Sequence, residues 1–251
     1  MRPSDDGYRP LPGYLWQQMS KMEELSLAPM PEFDIEEFDP LIDSSNMSPS
    51  VWLKIANSIK QHYEDYDGFV VLHGTDTMAY TASALPLMLP GLAKPVVLTG
   101  AQLPIGQLRN DARENLKTAM VLAANYPIPE VGLFFNEHLY RGCRSTKVSA
   151  TRFDAFDSPN FPPLADAETR IKIFPDLIRK PDTRTSQLEV VEILPGEVAS
   201  FRLFPGFSVG ILKHFLKRPL KALVLETYGD GNGPANDPEF LNAITEATDE
   251  G

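Results

Sequence analysis

The stretch GFVVLHGTDTMAYTASALPLMLPGLAKPVVLTGAQLP, Gly68 to Pro104, decides the fold. It opens with GFVVLHG, a short continuous apolar run between glycines, the pattern of a strand buried on both faces. Thr77–Leu89 reads as a helix stopped by Pro90-Gly91. KPVVLTG repeats the buried-strand pattern. Downstream, NDARENLKTAMVLAANY (Asn110–Tyr126) predicts another helix and EVGLFF (Glu130–Phe135) a third strand. Upstream, SPSVWLKIANSIKQHYEDY (Ser48–Tyr66) sets Trp52, Ile55, Ile59 and Tyr63 on one helical stripe, with Ser48 or Ser50 as cap. Strands alternating with helices imply an α/β protein with a mostly parallel, flavodoxin-like or Rossmann-like sheet, covered by helices on both faces. Ligands of such sheets bind at the carboxyl ends of the strands. That rule singles out HGTDT after the first run and TGAQLP after the second.

The flanks are less regular. Residues 1–48 are rich in Pro, Asp and Met and read as loop, with a short helix near Tyr14–Glu24 and an extended piece near Glu37–Ile42. From about Lys172 the pattern loosens, and residues 176–195 read as a linker. An N-terminal domain over 1–175 and a smaller, incomplete α/β domain over 196–251 are the expected organisation. The smaller domain offers strand VASFRLF, helix Ser208–Leu216, strand KALVLETYG and helix Asp237–Thr248, too few elements to close a core easily. No buried strand precedes the first loop either, so a chain truncated at both ends is the expectation.

Composition excludes several classes of function. A formal charge of -11 opposes a nucleic-acid or anionic-membrane surface. With Cys143 as the single cysteine, an internal disulfide and a Cys-rich metal site are excluded. The histidines lack metal-ligand spacing, and no apolar stretch approaches the roughly 18 residues of a membrane span. The N-terminus lacks the layout of a signal peptide, so a cytoplasmic location is expected. Gly206–Gly210 (GFSVG) matches a nucleophile elbow, but the only later histidine, His214, lies on the same predicted helix and cannot reach back. Ser208 is therefore read as a helix N-cap. Gly229–Gly233 (GDGNG) is a turn without dinucleotide-binding spacing.

Three segments carry possible chemistry. In HGTDT, Thr75, Asp76 and Thr77 stand at a strand-to-helix turn, where hydroxyls and free N–H groups form an anion or oxyanion site, or else cap the helix. Lys147 lies among Ser145, Thr146 and Ser149. Partly desolvated near an Asp it can serve as a base; otherwise it is a solvated surface lysine. Asp43-Ser44-Ser45-Asn46 either binds a polar substrate or forms a turn with Asx-type hydrogen bonds.

LHGTDTMAYTASAL (Leu72–Leu85), PVVLTGAQLP (Pro95–Pro104), LIDSSNMSPSVW (Leu41–Trp52), LFFNEHLYRGCRSTKVSATRFDAFDSPN (Leu133–Asn160) and LVLETYGDGNGP (Leu223–Pro234) together resemble the L-asparaginase family, in particular its bacterial cytoplasmic type I branch. The resemblance spans nearly the whole chain in order. It implies hydrolysis of L-asparagine to L-aspartate and ammonia through threonine nucleophile chemistry, without a cofactor. It makes Thr75, Asp76 and Lys147 the second catalytic group, and Asp43, Ser44 and Ser45 the holders of the substrate's α-carboxylate and α-amino groups. Tyr8 matches the tyrosine of the family's mobile lid, and Ala101 the backbone beside the side-chain amide. It also implies homodimers or homotetramers in which the second domain of a neighbouring protomer closes the site.

Two departures stand out. The family's primary nucleophile sits in a Thr-Gly-Gly-Thr turn, which these 251 residues do not contain, and Asn110-Asp111-Ala112 replaces the usual Ser-Asp-Gly. On that basis the chain as it stands is expected to be inactive. The alternatives are a non-catalytic asparagine-binding or regulatory module and the asparaginase-like subunit of a tRNA-dependent amidotransferase, against which the charge counts.

Overall fold

A computed structural model describes residues 2–4, 7–181, 187–194 and 196–250. The chain forms two compact units, Met1–Ile193 and Leu194–Gly251. The first unit begins with a short antiparallel ribbon, β1 (Arg2–Ser4) on β2 (Gly7–Arg9), followed by α1 (Tyr14–Met19) and α2 (Pro49–Gln61). Next come β3 (Phe69–Leu72), α3 (Met78–Met88), β4 (Val96–Thr99), α4 (Ala112–Asn125), β5 (Val131–Phe135) and β6 (His138–Arg141). A small hairpin pairs β7 (Thr146–Lys147) with β8 (Phe156–Asp157), and β9 (Ala165–Ala167) and β10 (Ile171–Ile173) complete the set.

The central sheet has six strands in the order β10-β9-β6-β5-β4-β3. Strands β3, β4 and β5 are parallel, as the apolar runs separated by helices require, while β6, β9 and β10 extend the sheet antiparallel. Side chains alternate between the two faces. On β4, Val96 and Leu98 enter the core with α2 and α3, whereas Val97 enters the core with α4. On β5, Val131, Leu133 and Phe135 join the first core and Phe134 the second. Each such side chain, fully buried, contributes roughly 1.5–3 kcal/mol over exposure. The unbroken apolar runs thus reflect burial on two faces.

One strand departs from that expectation. The run GFVVLHG forms β3 at the edge of the sheet, where it is only half-buried and Leu72 is exposed. An apolar run encodes the two faces of a strand but carries no signal for its lateral neighbour. The segment read as a linker also differs. Residues before and after 182–186 pack on the first unit: Arg141 donates to Leu177 O at 2.6 Å, and the N–H groups of Glu189 and Val191 donate to Pro90 and Met88 carbonyls. Leu188 is buried in the core beside α3. The two compact units divide between Ile193 and Leu194, within the 176–195 segment.

The second unit pairs β11 (Val198–Arg202) in parallel with β12 (Ala222–Glu226) and packs α5 (Val209–Phe215) and α6 (Pro238–Asp249) around Phe201, Leu203, Leu212 and Phe240. Asp237 caps α6, accepting from the N–H groups of Glu239 and Phe240 at 3.0 and 3.2 Å. Ser208 caps α5, accepting from Ile211 N–H, and His214 Nδ1 donates to Gly210 O within its own helix. The helix-cap reading of Ser208 holds. No helix among the described residues is long and apolar enough to cross a membrane.

Candidate active site

The carboxyl end of β3 delivers His73 and Gly74 into a turn that holds Thr75, Asp76 and Thr77 ahead of α3. Neither Thr75 nor Asp76 caps that helix. Thr77 occupies the cap position, and its hydroxyl donates instead to Ser44 O at 2.6 Å. The turn is tied in this way to the Asp43–Asn46 segment. Gly74 permits the approach: a Cβ there would lie 2.4 Å from Ser44 Oγ.

Lys147 reaches the same turn from the β7–β8 hairpin. The hairpin is anchored by Phe156, buried against Phe135 with ring centroids 5.0 Å apart, and by Val148 N–H donating to Ala155 O at 2.8 Å. Lys147 Nζ donates to Thr75 Oγ1 at 2.8 Å and to Asp76 Oδ1 at 2.9 Å. Its side chain is 22% exposed, against 66% for Asp76. The Lys147 amino group is therefore partly desolvated with two oxygen partners, and the solvated-surface alternative does not apply. On the other side of Thr75, its hydroxyl lies 3.4 Å from Gln102 Oε1, a long contact.

The remaining residues named from the sequence are placed as follows. Asp43 accepts from Ser45 N–H at 3.0 Å and from the Ser45 hydroxyl at 2.9 Å through the same oxygen, an Asx-type turn around the short 3₁₀ segment Ser44–Asn46. Ser44 is buried and Ser45 exposed. Ala101 stands in the loop leaving β4, half-buried, one residue before Gln102. Tyr8 lies in β2 opposite Pro3, and its side chain falls outside the described residues.

His73, beside the site, is held by its own relay. Trp52 Nε1–H donates to Thr81 Oγ1 at 2.9 Å, and His73 Nε2 lies 2.8 Å from the same hydroxyl. His73 Nδ1 lies 2.7 Å from Gly74 O and donates there; in the neutral ring Nε2 is then the acceptor of the Thr81 hydroxyl. Burial pushes this histidine below its ordinary value of 6.5, against the opposing effect of the Gly74 carbonyl.

Sequence reasoning missed Gln102, Asp111 and Asn115. Gln102 Nε2 donates to Arg152 O at 3.0 Å and, weakly, to Ser149 O at 3.4 Å, so it links the β4 loop to the hairpin carrying Lys147. The usable signal was the sequence itself: a long amide directly after TGA, at the ligand-binding edge of the sheet.

Similarity to known proteins is extensive. The family described as "Asparaginase, N-terminal" matches residues 3–179. The chain is 49% identical over 253 residues to L-asparaginase 1 of Escherichia coli (strain K12), an alignment covering 100% of this chain and 73% of that protein. A glutamyl-tRNA(Gln) amidotransferase component of Pyrococcus horikoshii is 35% identical over 243 residues, covering 91% of this chain and 54% of that protein. Among solved structures, L-asparaginase I from Vibrio cholerae superposes with a TM-score of 0.91 at 44% identity, covering 100% of this chain and 75% of that one.

Proposed function

The chain belongs to the asparaginase family, and from that premise we propose that it hydrolyses the side-chain amide of L-asparagine. The Cγ–N bond breaks; water supplies hydroxyl to Cγ and hydrogen to the leaving nitrogen, giving L-aspartate and ammonia. The observation that carries this reading is the meeting of Lys147 Nζ with Thr75 Oγ1 and Asp76 Oδ1, at 2.8 and 2.9 Å, across more than seventy residues of sequence.

Amide cleavage needs a proton removed from the attacking oxygen and one delivered to the leaving nitrogen. Thr75 and Lys147 form a path for both. Thr75 takes a proton from the attacking oxygen as it hands its own to the Lys147 amine. Asp76 then stands as counter-charge to the ammonium so formed, and the proton returns through Thr75 to the departing nitrogen. Thr75, Asp76 and Lys147 are thus the proposed catalytic residues. Asp43, Ser44 and Ser45 are proposed to hold the amino-acid end, with the Asp43 oxygen not engaged by Ser45 meeting the α-ammonium. The Ala101 backbone is proposed beside the amide, and Tyr8 in the lid. A cytoplasmic location and a homodimeric or homotetrameric assembly complete the reading, by likeness to type I enzymes.

Ammonia release from L-asparagine, with aspartate as co-product, tests the reading. Thr75→Val is expected to abolish it at an unchanged unfolding temperature; full activity in that variant would remove Thr75 from the mechanism.

A further inference from the structure

Asp111 occupies the N-cap position of α4, where an aspartate ordinarily accepts hydrogen bonds from its own helix. Here it does not: its side chain makes no cap bond. The Arg113 N–H instead has Asn110 Oδ1 at 3.3 Å. Asp111 is only 9% exposed, and its carboxylate points across to the loop after β4. Oδ2 accepts from Gln102 N–H and Oδ1 from Leu103 N–H, each at 2.9 Å. No lysine, arginine or histidine pairs with it among the described residues. A buried carboxylate without a cation is costly unless well hydrogen-bonded, and hydrogen bonds to an ionised acceptor are about twice as strong as neutral ones.

Asn115, one turn along α4 and buried, extends the arrangement. Its Nδ2 donates to Asp111 Oδ2 at 3.2 Å and to Gly100 O at 3.0 Å, while its Oδ1 accepts from Asn136 N–H at 3.1 Å. Asn136 has φ 44° in the turn between β5 and β6. Together these two side chains fasten the ends of β4 and β5 and the loop that presents Ala101 and Gln102.

We propose that Asp111, braced by Asn115, is a positioning residue of the amide-cleaving site: it fixes the Gly100–Leu103 loop so that Gln102 faces the Thr75 hydroxyl opposite Lys147. The inference rests on the functional reading above. It explains why the helix gives up a cap that its sequence offers.

Asp111→Asn tests it, because the change preserves shape yet sets an N–H₂ group, which cannot accept, against one of the two loop amides. Three quantities are compared with wild type: hydrogen exchange at the Gln102 and Leu103 amides, calorimetric affinity for L-aspartate, and kcat and KM for ammonia release. Exchange at one or both amides is expected to quicken at least tenfold. kcat is expected to fall on the order of a hundredfold, the cost of misplacing reacting groups by about 1 Å, with KM and aspartate affinity within about threefold. Loss of folding alone would lower active fraction without this split, and the unfolding temperature reads it directly. Quickened exchange with unchanged kcat would overturn the proposal, as would unchanged exchange. A wild-type protein releasing no ammonia would defeat the functional reading. The brace would then stand or fall on the exchange rates.

Discussion

Arg141→Met should destabilise the first unit strongly while leaving its chemistry alone. Arg141 ends β6 and Glu130 directly precedes β5, so their ion pair lies at the amino edge of the parallel strands, opposite the Thr75 turn. The pair is bidentate, at 2.6 and 3.0 Å, and the side chains are only 10% and 5% exposed. Arg141 also donates to Leu177 O at 2.6 Å and stacks 4.3 Å from the Phe161 ring centroid. Removing the guanidinium leaves the Glu130 carboxylate buried. The Arg179 N–H at 2.5 Å remains as a hydrogen-bond donor, and the only remaining cation among the described residues is the well-exposed Arg179 side chain at 4.0 Å. Breaking one side of a buried pair costs about 3–5 kcal/mol. For a unit of this size each kcal/mol moves the unfolding temperature by roughly 2–4 °C, so a fall of about 6–20 °C is expected. Differential scanning calorimetry and urea unfolding read it. Glu130→Gln combined with Arg141→Met should recover part of the loss, since no buried charge is left unpaired. A fall under about 1 kcal/mol, or a double variant worse than the single, would refute the reasoning.

Other perturbations probe the site itself. Lys147→Met should lower ammonia release on the order of 10²–10⁴-fold yet change unfolding free energy by no more than about 1 kcal/mol, because the Asp76 end of the ion pair is 66% exposed; a large stability loss with activity intact would contradict it. His73 should make stability pH-dependent. Its folded-state value lies below 6.5 through burial, so the unfolded chain binds the proton more readily. That contribution is complete above about pH 6.5 and is lost as pH falls through the lower folded value; urea midpoints between pH 7 and 5 should decline in wild type and flatten in His73→Gln.

The parallel core was legible because β4 and β5 are buried on both faces and so are apolar without interruption. The antiparallel wing was not. Its entry turn uses Asn136 and Glu137, at φ 44° and 73°, without the Asn-Gly or Asp-Gly pair that announces a tight hairpin. The strands beyond it, Ala165–Ala167 and Ile171–Ile173, are too short to show a period. Around the site, HGTDT stood out through its place at a strand end, whereas the distance from Lys147 to Thr75 is a property of the hairpin's docking through Phe156, which no local pattern encodes. Asp111 was hidden for a different reason: in sequence, Asn-Asp before a helix looks like capping, and only the three-dimensional path of the carboxylate reveals its other partners.

The central claim is that Thr75 and Lys147 act as one proton-transferring unit. Measuring kcat for ammonia release in wild type, Thr75→Val, Lys147→Met and the double variant tests it most directly. Residues acting as a unit are strongly non-additive, so the double variant should be no slower than the slower single one. Losses that multiply would mean that the two side chains, though in contact, work separately.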